Sequence, residues 1–237
     1  MSKSKNYKIK VTKNGPYIVS GGLPIAKEII VADVKGTPIR WDKGESYPAQ
    51  ETYALCRCGK SKNMPFCDGT HAVIKFDGTE TADRKNYLDC AEKTEGPDLI
   101  LTDAEKLCAT ARFCHRASGT WQLIEKSDNP KLKEIAIQEA CDCPGGRLVA
   151  WDKSSKKPIE PAFEPSISLI EDPAANASGP IWVKGGVQIE SADGFLYEIR
   201  NRVTLCRCGK SKNKPFCDGR HITSKFNDGD ELLNKKK

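Results

Sequence analysis

Three observations predict an α+β fold built mainly from short β-strands, with two copies of one small unit flanking an α/β insert. First, residues 56–71 (CRCGKSKNMPFCDGTH) recur as residues 206–221 (CRCGKSKNKPFCDGRH), differing only in Met64 against Lys214 and Thr70 against Arg220. Second, each copy follows strand-like text around a Gly-Gly pair, residues 15–25 (GPYIVSGGLPI) and 179–189 (GPIWVKGGVQI), which reads as a β-hairpin. Third, 19 Gly and 14 Pro against only 7% aromatic residues point to short strands and many turns. The repeating unit is thus a β-hairpin plus the cysteine segment.

Taken in order, the chain divides into a first unit at 1–83, a middle α+β segment at 84–152, a connector at 153–178 and a second unit at 179–237. Ile9-Lys10-Val11, in an otherwise polar and basic stretch, hints at a strand start. Ile25 and Cys56 stand 31 residues apart but Ile189 and Cys206 only 17, so the first copy carries an insertion of 14 residues around Val34 to Tyr47. Tyr53-Ala54-Leu55 and Val203-Thr204-Leu205 are short apolar strands that deliver each motif. In the middle segment, Thr102-Asp103-Ala104-Glu105 resembles a capping box with Leu101 as staple, which predicts a helix running to about His115. Trp121 to Ile124 reads as a strand, and Asn129-Pro130 starts a second helix with Leu132, Ile135, Ala136 and Ala140 on one face. Cys141 to Gly146 breaks that helix, and Arg147 to Trp151 leaves as a strand. Residues 153–178, rich in Pro, Ser and Ala, read as a connector.

With 38% apolar and 30% charged residues the chain should fold without a deep core. The formal charge of +6 gathers around the two motifs and in Lys235, Lys236 and Lys237, a pattern that does not predict a nucleic-acid partner. The start MSKSKNYKIK has no apolar signal region, and no run is long enough to span a membrane, so a membrane partner is not expected. The 11 cysteines are an odd number, six of them in two C-x-C-x8-C patterns. This is not the arithmetic of a secreted disulfide framework, and it predicts a reducing, cytoplasmic location where clustered thiols mean metal.

Cys56 and Cys58 flank Arg57 at a strand end, where Gly59 permits a turn. Cys67 and His71 are four residues apart, so a helix starting near Asp68 would put both on one side of its first turn. Cys56, Cys58, Cys67 and His71 are therefore one candidate ligand set, and Cys206, Cys208, Cys217 and His221 a second. Zinc accepts three Cys and one His, usually from wider C-x2-C hooks. A [2Fe–2S] cluster needs two ligands per iron, which a C-x-C pair and a Cys/His pair also supply. Spacing leaves both metals open. Arg57, Lys60 and Lys62, with Arg207, Lys210 and Lys212, either offset cluster charge and attract an acidic partner or are solvated loop charges.

The run C-x-C-x2-S-x3-P-x-C-D-G-T-H, with Ser61, Pro65, Asp68 and Gly69, resembles the CDGSH iron–sulfur domain of mitoNEET-like proteins. The second copy matches through Ser211, Pro215, Asp218 and Gly219 and departs at Arg220, where that family has a small residue. The resemblance implies that each Cys3His set holds a [2Fe–2S] cluster, two per chain. It also implies that the repeats pack as an intrachain pseudo-dimer, compatible with a monomer in solution. The implied work is electron transfer, redox sensing or cluster transfer with a redox or apo-acceptor protein. A zinc-bound structural or interaction module is the alternative. No Ser/His/Asp set, nucleotide-binding Gly loop or carboxylate pair stands out, so no enzymatic activity is expected.

Cys108 and Cys114, followed by Cys143-Pro144, faintly resemble divergent single-cluster ferredoxins. Cys108, Cys114 and Cys143 are thus candidate ligands of a third iron–sulfur cluster, which Cys90 or Cys141 could complete. Against this, the predicted helix sets Cys108 and Cys114 far from one face, which favours buried structural thiols. His115 and Cys90 read as structural or surface residues.

Overall fold

A computed structural model describes residues 6–234. The basic tail Lys235 to Lys237 lies outside the described residues. The first unit contains β1 (Lys8–Val11), β2 (Tyr17–Ser20), β3 (Ile25–Ala32), β4 (Pro38–Ser46), β5 (Thr52–Leu55) and α1 (Thr70–Val73). The middle contains α2 (Tyr87–Cys90), β6 (Glu92–Glu95), β7 (Leu99–Asp103), α3 (Thr120–Ile124), α4 (Pro130–Cys141), β8 (Leu148–Asp152) and β9 (Pro158–Ile159). The last part holds β10 (Ser166–Asp172), β11 (Ala177–Lys184), β12 (Gln188–Glu190), β13 (Arg202–Leu205), α5 (Arg220–Thr223) and α6 (Glu231–Asn234). The mixture of α and β, dominated by strands with short helices, is the predicted class.

The strands form three sheets, ordered β12-β1-β2-β5, β13-β11-β10-β3-β4 and β6-β7-β8-β9. The predicted hairpins are absent. β2 pairs with β1 and β5, whereas β3 leaves for the second sheet, where it runs parallel to β10. β12 likewise leaves β11 and runs parallel to β1. The reason is burial just after each Gly-Gly pair. Leu23 and Val187 are 1% and 3% exposed, so the chain dives through the core before its next strand pairs. The first sheet is consequently completed by β12 of the second repeat, and the second sheet by β3 and β4 of the first.

The registers repeat too: Tyr17 stands opposite Leu55 and Ile181 opposite Leu205, while Ile9 faces Val19 and Ile167 faces Val183. β10 is therefore the counterpart of β1, and it lies in the stretch expected to be a connector. Its alternation of Ser166, Ile167, Ser168 and Leu169 is the period-two signal that composition had hidden. The inner faces of the two sheets share one core, with Ile9, Val11, Tyr17, Val19, Ile25 and Leu55 meeting Ile167, Leu169, Ile181, Val183, Ile189 and Leu205. Burying each such aliphatic side chain stabilises the fold by about 1.5–3 kcal/mol, so the two repeats hold each other.

The 14-residue insertion forms the turn at Asp33, whose Oδ1 accepts from Lys35 N and Thr37 N at 2.8 Å each, and then β4. β4 extends the second sheet and carries Trp41, whose ring meets Phe113 at 4.8 Å and Trp182 at 4.9 Å. Phe113 belongs to the middle segment, which thereby covers the outer face of the second sheet. All eight residues of β11 are buried as a result.

Two middle-segment expectations change. No helix runs from Ala104 to His115. Thr102, the expected cap, lies in β7 with its Oγ1 accepting from Trp151 Nε1 at 2.9 Å, and Asp103 accepts from Arg147 at 2.6 and 2.8 Å. The chain continues as short turns at Glu105–Leu107 and Phe113–His115, and Thr110 and Arg112 have φ of 52° and 67°, which a helix cannot contain. The Trp121 run is helix α3, an ambiguity inherent in short apolar stretches. The helix at Asn129-Pro130 is found, with Asn129 Oδ1 accepting from Lys131 N and Leu132 N at 3.0 and 3.3 Å.

Candidate metal centres

β5 ends at Leu55 and β13 at Leu205, so Cys56 and Cys206 emerge from strands on both halves. Each motif then folds back onto its strand: Cys56 N donates to Pro65 O at 2.9 Å and Cys67 N to Ala54 O at 2.9 Å. The copy does the same, Cys206 N to Pro215 O at 2.8 Å and Cys217 N to Thr204 O at 2.9 Å. Ser61 Oγ donates to Phe66 O at 2.6 Å and Ser211 Oγ to Phe216 O at 2.7 Å, closing the turn between the cysteines. Asp68 accepts from Lys62 N at 2.8 Å and Thr70 N at 3.0 Å, which holds its carboxyl well below the usual range. The helix starts at Thr70 rather than at Asp68, and Asp68 instead staples the loop to that start.

The ligand atoms fall into pairs. Cys56 Sγ lies 3.7 Å from Cys58 Sγ, and Cys67 Sγ lies 3.2 Å from His71 Nδ1. The second set gives 3.7 Å for Cys206 with Cys208 and 3.5 Å for Cys217 with His221 Nδ1. Four ligands on one tetrahedral zinc at bond lengths of about 2.0–2.3 Å would all lie within about 4 Å of each other. Among the described residues, the three-member ligand group that meets within 4.8 Å is Glu171, Asp228 and Asp230, not a cysteine set. Burial, then Cys56, pushes the Cys58 thiol up to about 11, and Cys217 is raised by burial and then by Cys206. Lys210 N and Gly219 N donate to the sulfurs of Cys208 and Cys217 at 3.5 and 3.4 Å. The amide donors favour thiolate, a bound cation would offset the crowding of these dehydrated sulfurs, and two ligand pairs suit two metal ions.

The two motifs stand back to back. A Cβ at Gly59 would sit 2.6 Å from Cys208 O, and one at Gly209 would sit 2.5 Å from Cys58 O, both at φ above 70°. Gly59→Ala or Gly209→Ala should therefore cost about 1–3 kcal/mol from the left-handed backbone alone, and the clash with backbone should add to it. A fall in urea midpoint accompanied by iron loss is the expected reading. Tyr17 reinforces the contact: its hydroxyl donates to Cys206 O at 2.8 Å and Pro215 O at 3.0 Å, while Arg57 lies 5.7 Å above its ring.

Arg57 and Arg207 are each 1% exposed and are structural anchors, whereas Lys60, Lys62, Lys210 and Lys212 are exposed. Arg57 donates to three carbonyls, Gly15 O at 2.8 Å, Gly78 O at 2.9 Å and Thr12 O at 2.9 Å. Arg207 keeps two of these contacts, Gly179 O at 2.7 Å and Ile170 O at 2.9 Å, but pairs with the carboxylates of Glu171 and Asp228. Lys27 reaches Asp230 beside them at 2.7 Å. Burial, against the pull of Arg207, pushes Glu171 up to about 7. Aligning Lys75-Phe76 with Lys225-Phe226 sets Gly78 against Asp228, a signal that could have exposed this difference. Arg220 points outward, pairs with Asp218 at 3.1 Å and leaves the ligand set undisturbed.

The centres differ most in exposure. Cys217 and His221 are 2% and 3% exposed, whereas Cys67 and His71 are half-buried. The cover over the second site is the middle segment. Thr110 Oγ1 donates to Gly219 O at 3.4 Å, Asn213 Nδ2 donates to Lys106 O at 2.9 Å, and Arg112 pairs with Asp172 at 2.5 and 3.1 Å.

Cys108 and Cys114 lie in this covering loop, so the helical objection to a joint site fails. The Cys114 thiol is pushed up to about 12, first by burial and then by the sulfurs of Cys143 and Cys108. Cys141 turns away, its Sγ lying 3.6 Å from Ile159 O, and Cys90 is exposed in α2. His115 stacks near Trp121 at 5.6 Å.

Comparison with known proteins meets this geometry. Residues 14–72 and 178–222 each match the family described as iron-binding zinc finger, CDGSH type. Residues 94–153 match the divergent 4Fe-4S mono-cluster family. The mouse (Mus musculus) protein "CDGSH iron-sulfur domain-containing protein 3, mitochondrial" is 44% identical over 52 residues, 19% of this chain and 35% of that relative. The chain thus spans about a third of that relative's length. The class these matches point to is the CDGSH family. Two stretches of this chain are similar to it, with a stretch similar to the divergent 4Fe-4S mono-cluster family between them. No helix among the described residues is long and apolar enough to cross a membrane.

Proposed function

We propose that the chain binds two [2Fe–2S] clusters, one through Cys56, Cys58, Cys67 and His71 and one through Cys206, Cys208, Cys217 and His221. The observation that carries this is the split of each set into a thiol pair and a Cys/His pair, 3.7 and 3.2 Å in the first set and 3.7 and 3.5 Å in the second. Such a cluster supplies one-electron chemistry, and an imidazole in place of a thiolate raises its potential. The chain's own residues orient the ligands, dehydrate the sulfurs and leave one face of the first set open. The protein is then an electron carrier, redox sensor or cluster donor rather than an enzyme, working with a redox or apo-acceptor protein in a reducing, cytoplasm-like compartment.

The repeats act as an intrachain pseudo-dimer, a reading supported by the mutual exchange of β3 and β12 and by the shared core. Cys108, Cys114 and Cys143 hold a further iron–sulfur cluster, a reading supported by the match to the mono-cluster family and by the electrostatic influence of the Cys143 and Cys108 sulfurs on Cys114.

Iron and acid-labile sulfide measurement on the purified protein tests both statements. About four irons per chain are expected from the two [2Fe–2S] sites, and about seven or eight with the middle one. A colourless, zinc-loaded protein would overturn the reading in favour of a structural module.

A further inference from the structure

Resting on the reading of both CDGSH sites as iron–sulfur centres, we propose that only the first is the outward-facing one. Its α1 face is a docking surface for an acidic, apolar-centred redox protein. The two domains share nearly every motif residue, so their differences carry the information.

The first difference is access. The half-buried Cys67 and His71 reach the surface, but Cys217 and His221, at 2% and 3% exposure, do not. A Cβ at Gly219, between those two ligands, would meet Thr110 Oγ1 at 2.7 Å and Cys108 O at 3.3 Å. Thr81 adds a second cover, donating to Lys212 O at 2.7 Å. A partner can therefore approach His71 but not His221.

The second difference is the surface beside each histidine. Val73, the last residue of α1, and Ile74, its C-cap, are 83% and 46% exposed, and α1 buries none of its own residues. Their counterparts in the second repeat are Thr223 and Ser224. An adjacent pair of exposed aliphatic residues beside an accessible ligand, replaced by hydroxyl residues beside a sealed one, marks an interface centre.

The third feature is charge. Lys60, Lys62 and Lys75 are exposed around this pair, and none forms an ion pair among the described residues. Lys62 is held next to α1, because Asp68 accepts from both Lys62 N and Thr70 N. An apolar centre with a cationic rim fits a partner with acidic residues around an apolar patch.

The test uses the iron-loaded full chain and, as probe, a purified acidic plant-type [2Fe–2S] ferredoxin. Calorimetry measures its affinity, and stopped-flow absorbance follows one electron passing from the reduced probe to the oxidised chain. Val73→Thr with Ile74→Ser, which copies the second repeat, should weaken binding about tenfold while leaving iron content and thermal midpoint unchanged. Lys60→Glu with Lys62→Glu should slow electron transfer more than tenfold at low salt and flatten its salt dependence. The mirror-image pair Lys210→Glu with Lys212→Glu should change neither quantity. Equal losses from the mirror pair, or none from the first-repeat variants, would overturn the inference while leaving the two-cluster reading intact. Absence of iron would overturn both.

Discussion

Acidifying the loaded protein should bleach its visible absorption in two phases, with the first centre going before the second. Protonation of a ligating imidazole releases it from iron, so the ligand that water reaches goes first. His71 is half-buried beside the exposed α1 face, whereas His221 is 3% exposed. Burial, then the charge of Arg207, pulls the His221 imidazole down from 6.5 to about 4; Arg112 adds to this, while Asp172 and Asp218 oppose it. The sign follows directly. A folded value below the unfolded one means that the fold favours neutral imidazole, so this stabilisation is present above pH 6.5 and is lost as pH falls towards about 4. Near pH 5 the second centre should therefore outlast the first. Stopped-flow pH jumps from neutral read both phases. His71→Cys combined with His221→Cys should suppress the bleaching, and an unchanged rate in that variant would show that the histidines are not the labile ligands.

Arg207→Met should be the most damaging single substitution outside the ligands, costing about 3–5 kcal/mol, because it leaves the carboxylates of Glu171 and Asp228 buried without their counterion. Glu171 Oε2 already lacks a hydrogen-bond partner, so that pocket has no reserve. Arg57→Met, at the equivalent position, strands only carbonyl oxygens and should cost less, about 1–3 kcal/mol for each left unsatisfied and unhydrated. Urea denaturation gives both midpoints. Adding Glu171→Gln to Arg207→Met should recover part of the loss, whereas a wild-type midpoint for Arg207→Met would remove the ion network from the account of the second loop.

The candidate ligand loops were more legible than the fold around them. The loop that carries Cys56, Cys58, Cys67 and His71 is readable from motif spacing because it is closed by its own residues: Ser61, Asp68 and the amides between them form contacts within sixteen positions. The strands failed differently. Gly15 to Ile25 reads as a hairpin by every local rule, but where β3 pairs depends on β10, about 140 residues away. The Ala104 to His115 stretch has good helix-start residues, yet Thr102 is held in β7 by Trp151 and Phe113 by Trp41, and those partners outweigh a cap worth about 1 kcal/mol.

The sequence by itself determined that the chain carries two near-identical Cys3His loops, an insertion in the first copy and a cysteine-bearing segment between them. All of these are local patterns whose chemistry resides in residue type and spacing. Only the tertiary structure decided that the two copies are not equivalent. The insertion supplies Trp41, Trp41 seats Phe113, and the loop holding Cys108 and Thr110 then lies over Gly219 and seals the second site. Burial of a ligand depends on what other segments pack against it, and here those segments come from the middle of the chain and from the opposite repeat.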